Sequence, residues 1–126
     1  MLAAYLFPDL WKQGMTETDP NGLDAHTPGA KLDQGKVDFE LTERGFANAL
    51  HAVAQVATYG AAKYTKDGWQ EVPDAVRRYY SAGGRHRNKH NLGQLFDDDS
   101  GYLHKAHEAW CILAQLELIL RELNGS

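Results

Sequence analysis

The stretch that decides the fold of this chain is residues 85–125, RHRNKHNLGQLFDDDSGYLHKAHEAWCILAQLELILRELNG. Its second half repeats apolar residues at intervals of three and four positions, which is the spacing of a helix with an apolar stripe. The stripe consists of Ala109, Ile112, Leu113, Leu116, Ile119, Leu120 and Leu123. Asn124 and Gly125 follow it, and residues of these types commonly end a helix. Trp110 and Leu118 lie outside the stripe, which favours a helix buried on more than one side, as in a bundle that oligomerises.

A polar row borders this stripe and carries potential metal ligands. On a helix the row consists of His104, Glu108, Cys111 and Gln115, with His107 one position around. Three aspartates, Asp97 to Asp99, arrive just before it. Carboxylates with a few imidazoles suit Mg²⁺ or Mn²⁺, whereas zinc normally takes more sulfur or histidine. The spacing leaves a second interpretation open, in which the histidines cap or pack the helix and the aspartates form a solvated loop.

Upstream, Pro73 and Asp74 predict the start of another helix that runs to about Asn91, because proline and a carboxylate both suit a first turn. Tyr79, Gly83, His86 and His90 share one face of it. Adjacent glycines, Gly83 and Gly84, cost roughly 1 to 2 kcal/mol of helix propensity. Their presence indicates either close helix packing or a local kink.

A further long helix is predicted from about Thr42 to Tyr64. Its expected buried face consists of Phe46, Ala49, Leu50, Val53, Val56, Ala57 and Gly60. Residues 65–72 form a loop that contains Trp69, either as a core plug or as a residue that stacks on a base. No stretch alternates as a β-strand does, so the sequence predicts an all-α bundle.

The remaining composition narrows the class of protein. With 126 residues, 43% of them apolar, the chain is expected to form one domain, residues 29–126, preceded by an N-terminal arm, residues 1–28. Phe7 and Trp11 of the arm are either part of a disordered tail or dock on the body or a neighbouring subunit. The single cysteine, the absence of a signal-peptide pattern and the lack of an apolar run of ~20 residues predict a cytoplasmic protein. A formal net charge of -4 argues against general nucleic-acid binding.

Two groups of cations could meet phosphate. Lys31 and Lys36 lie in a glycine-containing loop, residues 29–38, although loop lysines are more often simply solvated. The second group lies shortly before the aspartates and consists of Arg77, Arg78, Arg85, Arg87 and Lys89. Cations beside metal-binding acids are what a triphosphate needs, because its charge must be neutralised while an ion activates water.

Four blocks of the sequence together resemble one known family. They are GAKLDQGK (29–36), VATYGAAKYTKDGW (56–69), YYSAGGRH (79–86) and DDDSGYLHKAHEAW (97–110). In this order they resemble the phage dATP/dGTP diphosphohydrolases, distant relatives of the MazG-like all-α nucleotide pyrophosphohydrolases. Within that family the chain is similar to the (d)GTP diphosphohydrolases of phages that use 2-aminoadenine in their DNA. The resemblance spans residues 29–117.

The resemblance implies a MazG-like helical bundle, oligomeric as a dimer or tetramer. It also implies cleavage of a purine nucleoside triphosphate, (d)GTP or dATP, to the monophosphate and pyrophosphate with Mg²⁺ or Mn²⁺. The product would supply nucleotide for modified-purine synthesis in the host cytoplasm. Neither nucleic acid nor membrane is expected as a partner.

Individual residues receive roles from the same resemblance. Metal ions are expected at Asp97, Asp99, His104, His107 and Glu108, and the first four are also assigned to catalysis. Substrate is expected at Lys31, Asp33, Lys36, Lys63, Tyr64, Trp69, Arg85 and His86. Gln94 stands where relatives often have Glu, and His51 stands where they have an acid. The paired-glutamate string EExxE of the wider group is absent, which leaves Glu40 and Glu43 as possible substitutes.

Two other functions remain compatible with these residues. His and Asp also build triphosphohydrolase sites, which release a nucleoside and intact triphosphate. Alternatively, the basic segment 77–90, with Tyr79 and Tyr80, could be a nucleic-acid-binding helix of a non-catalytic module. The neighbouring aspartates oppose this last interpretation.

Overall fold

The structure, a computed structural model, describes residues 17–125. Its helices are α1 (Phe39–Glu43), α2 (Ala47–Lys63), α3 (Ala75–Asn91) and α4 (His104–Leu123), with a 3-10 helix at Gly68–Glu71. Over the described range the only β pairing is an isolated antiparallel bridge between Phe96 and Leu103. The all-α prediction is therefore confirmed. The predictions for Phe7 and Trp11 fall outside the described residues.

The chain divides into two compact units, one ending at Gly45 and the other beginning at Phe46. In the first unit, the buried carboxylate of Asp19 accepts backbone N–H groups from Asn21 at 2.7 Å and Lys31 at 2.8 Å. The two N–H groups donate to different oxygens of the carboxylate, so the Asp19 side chain holds the loop between residues 19 and 31 closed. The segment 29–38 is irregular, as the sequence predicts.

The single helix predicted from Thr42 to Tyr64 is wrong, because α1 ends at Glu43 and α2 begins only at Ala47. The interruption contains Gly45, where an added Cβ would collide with the carbonyl oxygen of Leu41. Only glycine therefore fits this tight turn. The helical periodicity continues across it, which is why the sequence pattern conceals the break.

In the second unit, α4 packs mainly against α3 and to a lesser extent against α2. The approach of α3 and α4 is closest at buried Gly83, where an added Cβ would lie 3.2 Å from the Cβ of Cys111. Close packing, rather than a kink, therefore explains this glycine. The predicted helix start near Pro73 and the helix end at Asn124 are also confirmed.

In the single chain much of the apolar stripe of α4 and part of the predicted face of α2 are exposed, although Val56 of that face is buried. Ile112, Leu113 and Leu116 of α4 are 53%, 47% and 50% exposed, and Phe46 beside α2 is 60% exposed. The opposite face of α4 is buried instead, and it carries His104, Ala106, His107, Glu108, Cys111 and Ala114. α4 packs on α3 through the face that carries Cys111, and Gly83 on α3 provides the room for this close approach.

Within residues 17–125, no helix combines the length and apolar character needed to cross a membrane.

Candidate active site

Three segments of the second unit meet where α4 begins. The connector between α3 and α4 folds back on itself, since the Asp97 N–H donates to the Tyr102 carbonyl at 2.7 Å and the His104 N–H donates to the Leu95 carbonyl at 2.8 Å. Gly101 permits this turn by adopting a φ of 78°. The fold-back places the Asp97 side chain beside the first turn of α4 and beside His86 on α3.

His86, Asp97 and His104 form a three-ligand cluster in which one potential ligand atom from each residue lies within 4.8 Å of the others. His104 is fully buried, with 0% exposure. Its Nδ1 lies 2.8 Å from the Nδ1 of His86. Two imidazoles and a carboxylate are a chemically suitable donor set for a divalent first-row metal ion, so the residues present fit the metal that the resemblance implies.

His107 lies directly beside the three-ligand cluster. Its ring stacks on that of His86, with centroids 4.4 Å apart and an interplanar angle of 9°. Its Nε2 lies 2.7 Å from the Ser100 hydroxyl and 4.0 Å from a carboxylate oxygen of Asp97. The Ser100 N–H donates to that same Asp97 oxygen at 2.8 Å. Ser100 therefore connects the imidazole of His107 to the carboxylate.

The electrostatics of the site favour neutral imidazoles beside a charged carboxylate. Burial lowers the pKa of His86 to about 4, and the nearby His107 and His104 reinforce this. Burial also lowers the pKa of His107, with Asp97 opposing the shift. Burial acts to raise the pKa of Asp97, but hydrogen bonds from Ser100 and the adjacent imidazoles bring it below its ordinary value. Metal binding requires these protonation states.

Glu108 is buried next to this site but is engaged elsewhere. Its two carboxylate oxygens pair with Arg87 at 3.1 Å and Lys105 at 2.9 Å. Burial acts to raise the pKa of this carboxyl, yet the two cations bring it below its ordinary value. Its charge is thus compensated by protein cations, and it does not belong to the three-ligand cluster.

A groove of about 590 Å³ begins at His86, Asp97 and His107 and continues between α2, the 3-10 helix and α3. Five residues assigned to substrate from the sequence line it: Lys63, Tyr64, Trp69, Arg85 and His86. Lys63 and Arg85 contribute positive charge. At the aromatic end, Trp110 meets Trp69 and Tyr79 edge-on, with centroids 5.7 Å and 5.2 Å apart. The groove therefore joins a potential metal site, cations and aromatic rings.

Other residues assigned from the sequence lie in different surroundings. Asp99 is exposed, and its N–H donates to Asp97 at 3.2 Å. Lys31, Asp33 and Lys36 lie on the irregular loop of the first unit. There Lys36 pairs with Glu17 at 3.3 Å.

Sequence reasoning missed two contacts of the site. It noted Gln94 only as a departure from relatives, yet the Gln94 side chain lies 3.0 Å from the Nε2 of His104. It gave no role to Ser100, the residue that follows the three aspartates. It also placed His86 with the substrate rather than with the ligands. For Gln94 and Ser100 the one available signal was their position in the connector that carries Asp97, because their contacts depend on how that connector folds back. His86 lies on α3, and its place among the ligands depends on the packing of α3 against α4.

Comparison with known proteins bears on this site directly. No curated protein and no solved structure matches the chain. The sequence model of the family described as dATP/dGTP diphosphohydrolase, N-terminal, matches residues 26–125. That range includes the three-ligand cluster and the whole lining of the groove. The chain therefore belongs to the dATP/dGTP diphosphohydrolase N-terminal family, whose name describes hydrolases of purine deoxynucleoside triphosphates.

Proposed function

We propose that this protein hydrolyses (d)GTP, and dATP as a second substrate, to the nucleoside monophosphate and pyrophosphate. The observation that carries this proposal is that one groove brings His86 and Asp97 of the three-ligand cluster together with cations and an aromatic end. A nucleoside triphosphate presents the matching sequence of groups, namely a base, a sugar and a polyanionic chain. Family membership supports the same substrate class.

The metal is proposed to be held by His86, Asp97 and His104. When bound, such an ion neutralises phosphate charge and lowers the pKa of a water molecule. Of the two ions that the sequence favours, Mn²⁺ suits this set better than Mg²⁺, because imidazole nitrogen is a softer ligand than the oxygens that Mg²⁺ prefers. Glu108 is left out of this assignment because Arg87 and Lys105 already pair with it.

The reaction is proposed to proceed at the α-phosphorus. The oxygen of a water molecule bonds to this phosphorus while the bond from the phosphorus to the α,β-bridging oxygen breaks, so that pyrophosphate leaves with the bridging oxygen. His107 lines the groove with a neutral ring and accepts the proton that the water loses. Lys63 and Arg85 line the same groove and would stabilise the charge on the departing pyrophosphate.

The base is proposed to bind at the aromatic end of the groove. Trp69, Tyr64 and Trp110 line this end, and aromatic rings offer stacking area to a purine. Preference for guanine follows from the resemblance described above. Lys31 and Lys36 remain proposed phosphate-binding residues and Asp33 a proposed substrate-binding residue, as the resemblance implies.

Product analysis tests the reaction. With Mn²⁺ and dGTP, the purified protein should release dGMP and pyrophosphate in equal amounts, measured by ion-exchange chromatography and phosphorus NMR. Release of deoxyguanosine and intact triphosphate would instead support a triphosphohydrolase. No turnover, together with salt-sensitive DNA binding, would support a nucleic-acid-binding module.

Variants of His104 and Asp97 test the site, with a histidine of the first unit as the control. His104→Ala and Asp97→Ala should abolish turnover while the far-UV circular dichroism spectrum remains helical. His26→Ala changes an exposed histidine of the first unit and should keep the wild-type rate. Near-normal activity in either site variant would move the metal assignment to Glu40 and Glu43.

We also propose that the protein is a homo-oligomer that associates through the apolar face of α4. Leu116 and Ile119 on this face are 50% and 40% exposed, and contiguous apolar surface of this kind is typical of interfaces. Light scattering should give a mass above the 14.1 kDa of one chain. Leu116→Glu should reduce it to that of one chain, whereas Leu92→Glu, at an exposed position after α3, should not. A wild-type mass of one chain would contradict the proposal.

A further inference from the structure

Gln94 bridges two side chains of different chemistry. Its Oε1 lies 3.0 Å from the Nε2 of His104, and its Nε2 donates to a carboxylate oxygen of Asp98 at 3.0 Å. Gln94 is half-buried and His104 is fully buried, whereas Asp98 is exposed. Gln94 lies in the same connector that places Asp97 at the cluster.

These contacts determine which nitrogen of His104 carries hydrogen. A carboxylate can only accept hydrogen bonds, so the NH₂ group of Gln94 must face Asp98 and its carbonyl oxygen must face His104. The Nε2 of His104 must then carry hydrogen in order to donate to that oxygen. In a neutral imidazole the other nitrogen, Nδ1, is consequently bare.

The bare Nδ1 of His104 points at His86, whose Nδ1 is 2.8 Å away. One hydrogen is required between these two atoms, and His86 must provide it. His104 has no exposed surface, so solvent cannot compete for its ring nitrogens. A nitrogen that binds a metal must be free of hydrogen, and a metal-ligating histidine characteristically donates its other N–H to a fixed acceptor.

We infer that Gln94, oriented by Asp98, is a positioning residue that holds His104 in the tautomer whose bare Nδ1 faces the three-ligand cluster. This inference rests on the proposed function for its metal, but the tautomer itself is a property of the metal-free protein. Asp98 is exposed, so water can partly replace it, and its influence is smaller than that of Gln94. Glutamate in place of Gln94 would preserve the acceptor for His104 and lose the donor to Asp98.

Nitrogen NMR of the metal-free protein tests the tautomer directly. Labelled histidine should show His104 with hydrogen on Nε2 and a bare Nδ1 in the wild type. Gln94→Met has a similar side-chain length but no comparable acceptor, so a fraction of His104 should shift to the Nδ1–H tautomer. Gln94→Glu should restore the wild-type tautomer. Hydrogen on Nδ1 in the wild-type protein, or an unchanged tautomer in Gln94→Met, would overturn the inference.

Metal affinity provides a second readout that does not depend on turnover. Mn²⁺ titration followed by electron paramagnetic resonance should show binding about 10- to 100-fold weaker in Gln94→Met, the usual loss when the partner of a ligand is removed. Asp98→Ala should weaken binding by a smaller factor. Gln115→Met is the matched control, because the Gln115 amide donates to the Cys111 carbonyl on the same helix and has no contact with the cluster.

The two proposals fail in different ways. If the wild type releases no pyrophosphate but the tautomer and the Mn²⁺ affinities follow the pattern above, the proposed function fails and the role of Gln94 stands. If pyrophosphate is released but Gln94→Met binds Mn²⁺ as tightly as the wild type, the role of Gln94 fails. Circular dichroism of each variant separates these outcomes from loss of folding.

Discussion

Gly83 and Gly84 are neighbours in α3, yet alanine at the two positions should change stability in opposite directions. A Cβ added at Gly84 would have the guanidinium end of Arg87 as its nearest neighbour, at 3.7 Å, which is an ordinary contact. A Cβ added at Gly83 would lie 3.2 Å from the Cβ of Cys111. Neither of these β-carbons can rotate away, so α3 and α4 would have to separate by a few tenths of an ångström.

The expected magnitudes follow from these distances. Replacing glycine by alanine inside a helix contributes about 0.8 to 1.0 kcal/mol, so Gly84→Ala should raise the free energy of unfolding by up to about that amount. Gly83→Ala gains the same contribution from helix propensity, but its added Cβ overpacks the interface between α3 and α4, which typically costs about 1 to 3 kcal/mol. Its net effect should be a destabilisation of about 0 to 2 kcal/mol. The two variants should therefore differ by about 1 to 3 kcal/mol.

Urea unfolding followed by circular dichroism measures this difference, with EDTA present and one protein concentration for all variants. Adding Cys111→Gly removes the opposing Cβ and should abolish most of the penalty of Gly83→Ala, which a double-mutant cycle would report as coupling. The reasoning is refuted if Gly83→Ala stabilises the protein as much as Gly84→Ala does. A coupling energy near zero in the cycle would refute it as well.

Three further predictions concern pH, thiol reactivity and the first unit. Burial holds the pKa of His86 at about 4, below the roughly 6.5 of an unfolded histidine. Between these two pH values the unfolded chain therefore binds a proton at His86 that the folded protein does not bind. The free energy of unfolding of the metal-free protein should therefore decrease from about pH 6.5 downward, and less steeply in His86→Phe, as urea unfolding at several pH values would show. Burial raises the pKa of Cys111 to about 11, so at pH 8 its thiol should react with an aromatic disulfide about a hundredfold more slowly in the native protein than in urea; equal rates would contradict its burial. Asp19→Ala should accelerate amide hydrogen exchange at Asn21 and Lys31, because both N–H groups lose their acceptor, and unchanged protection would disprove that role.

The helices themselves could be predicted from the sequence because their signals are local. Pro73 and Asp74 marked the start of α3, and Asn124 and Gly125 marked the end of α4. The break at Gly45 was missed because the turn leaves the apolar period undisturbed, and α1 begins at Phe39 rather than at about Thr42. Five residues that line the groove, Lys63 and Tyr64 among them, were assigned to substrate from the sequence through the resemblance to a known family, whereas most of the lining was not.

Which face of α4 is buried could not be decided from the sequence. The leucine-rich stripe has the stronger apolar pattern, but it is the opposite face, with Cys111 and the histidines, that packs on α3. The reason is steric: Gly83 lets α3 approach the Cys111 face of α4 closely, and this fit between two distant segments is not visible in the apolar period of either helix. In the same way, the partners of His104 were set by the tertiary structure. His86 precedes it by 18 residues and Gln94 by 10, and no local pattern brings them together. Their contact arises only when α3 packs on α4 and the connector folds back between them.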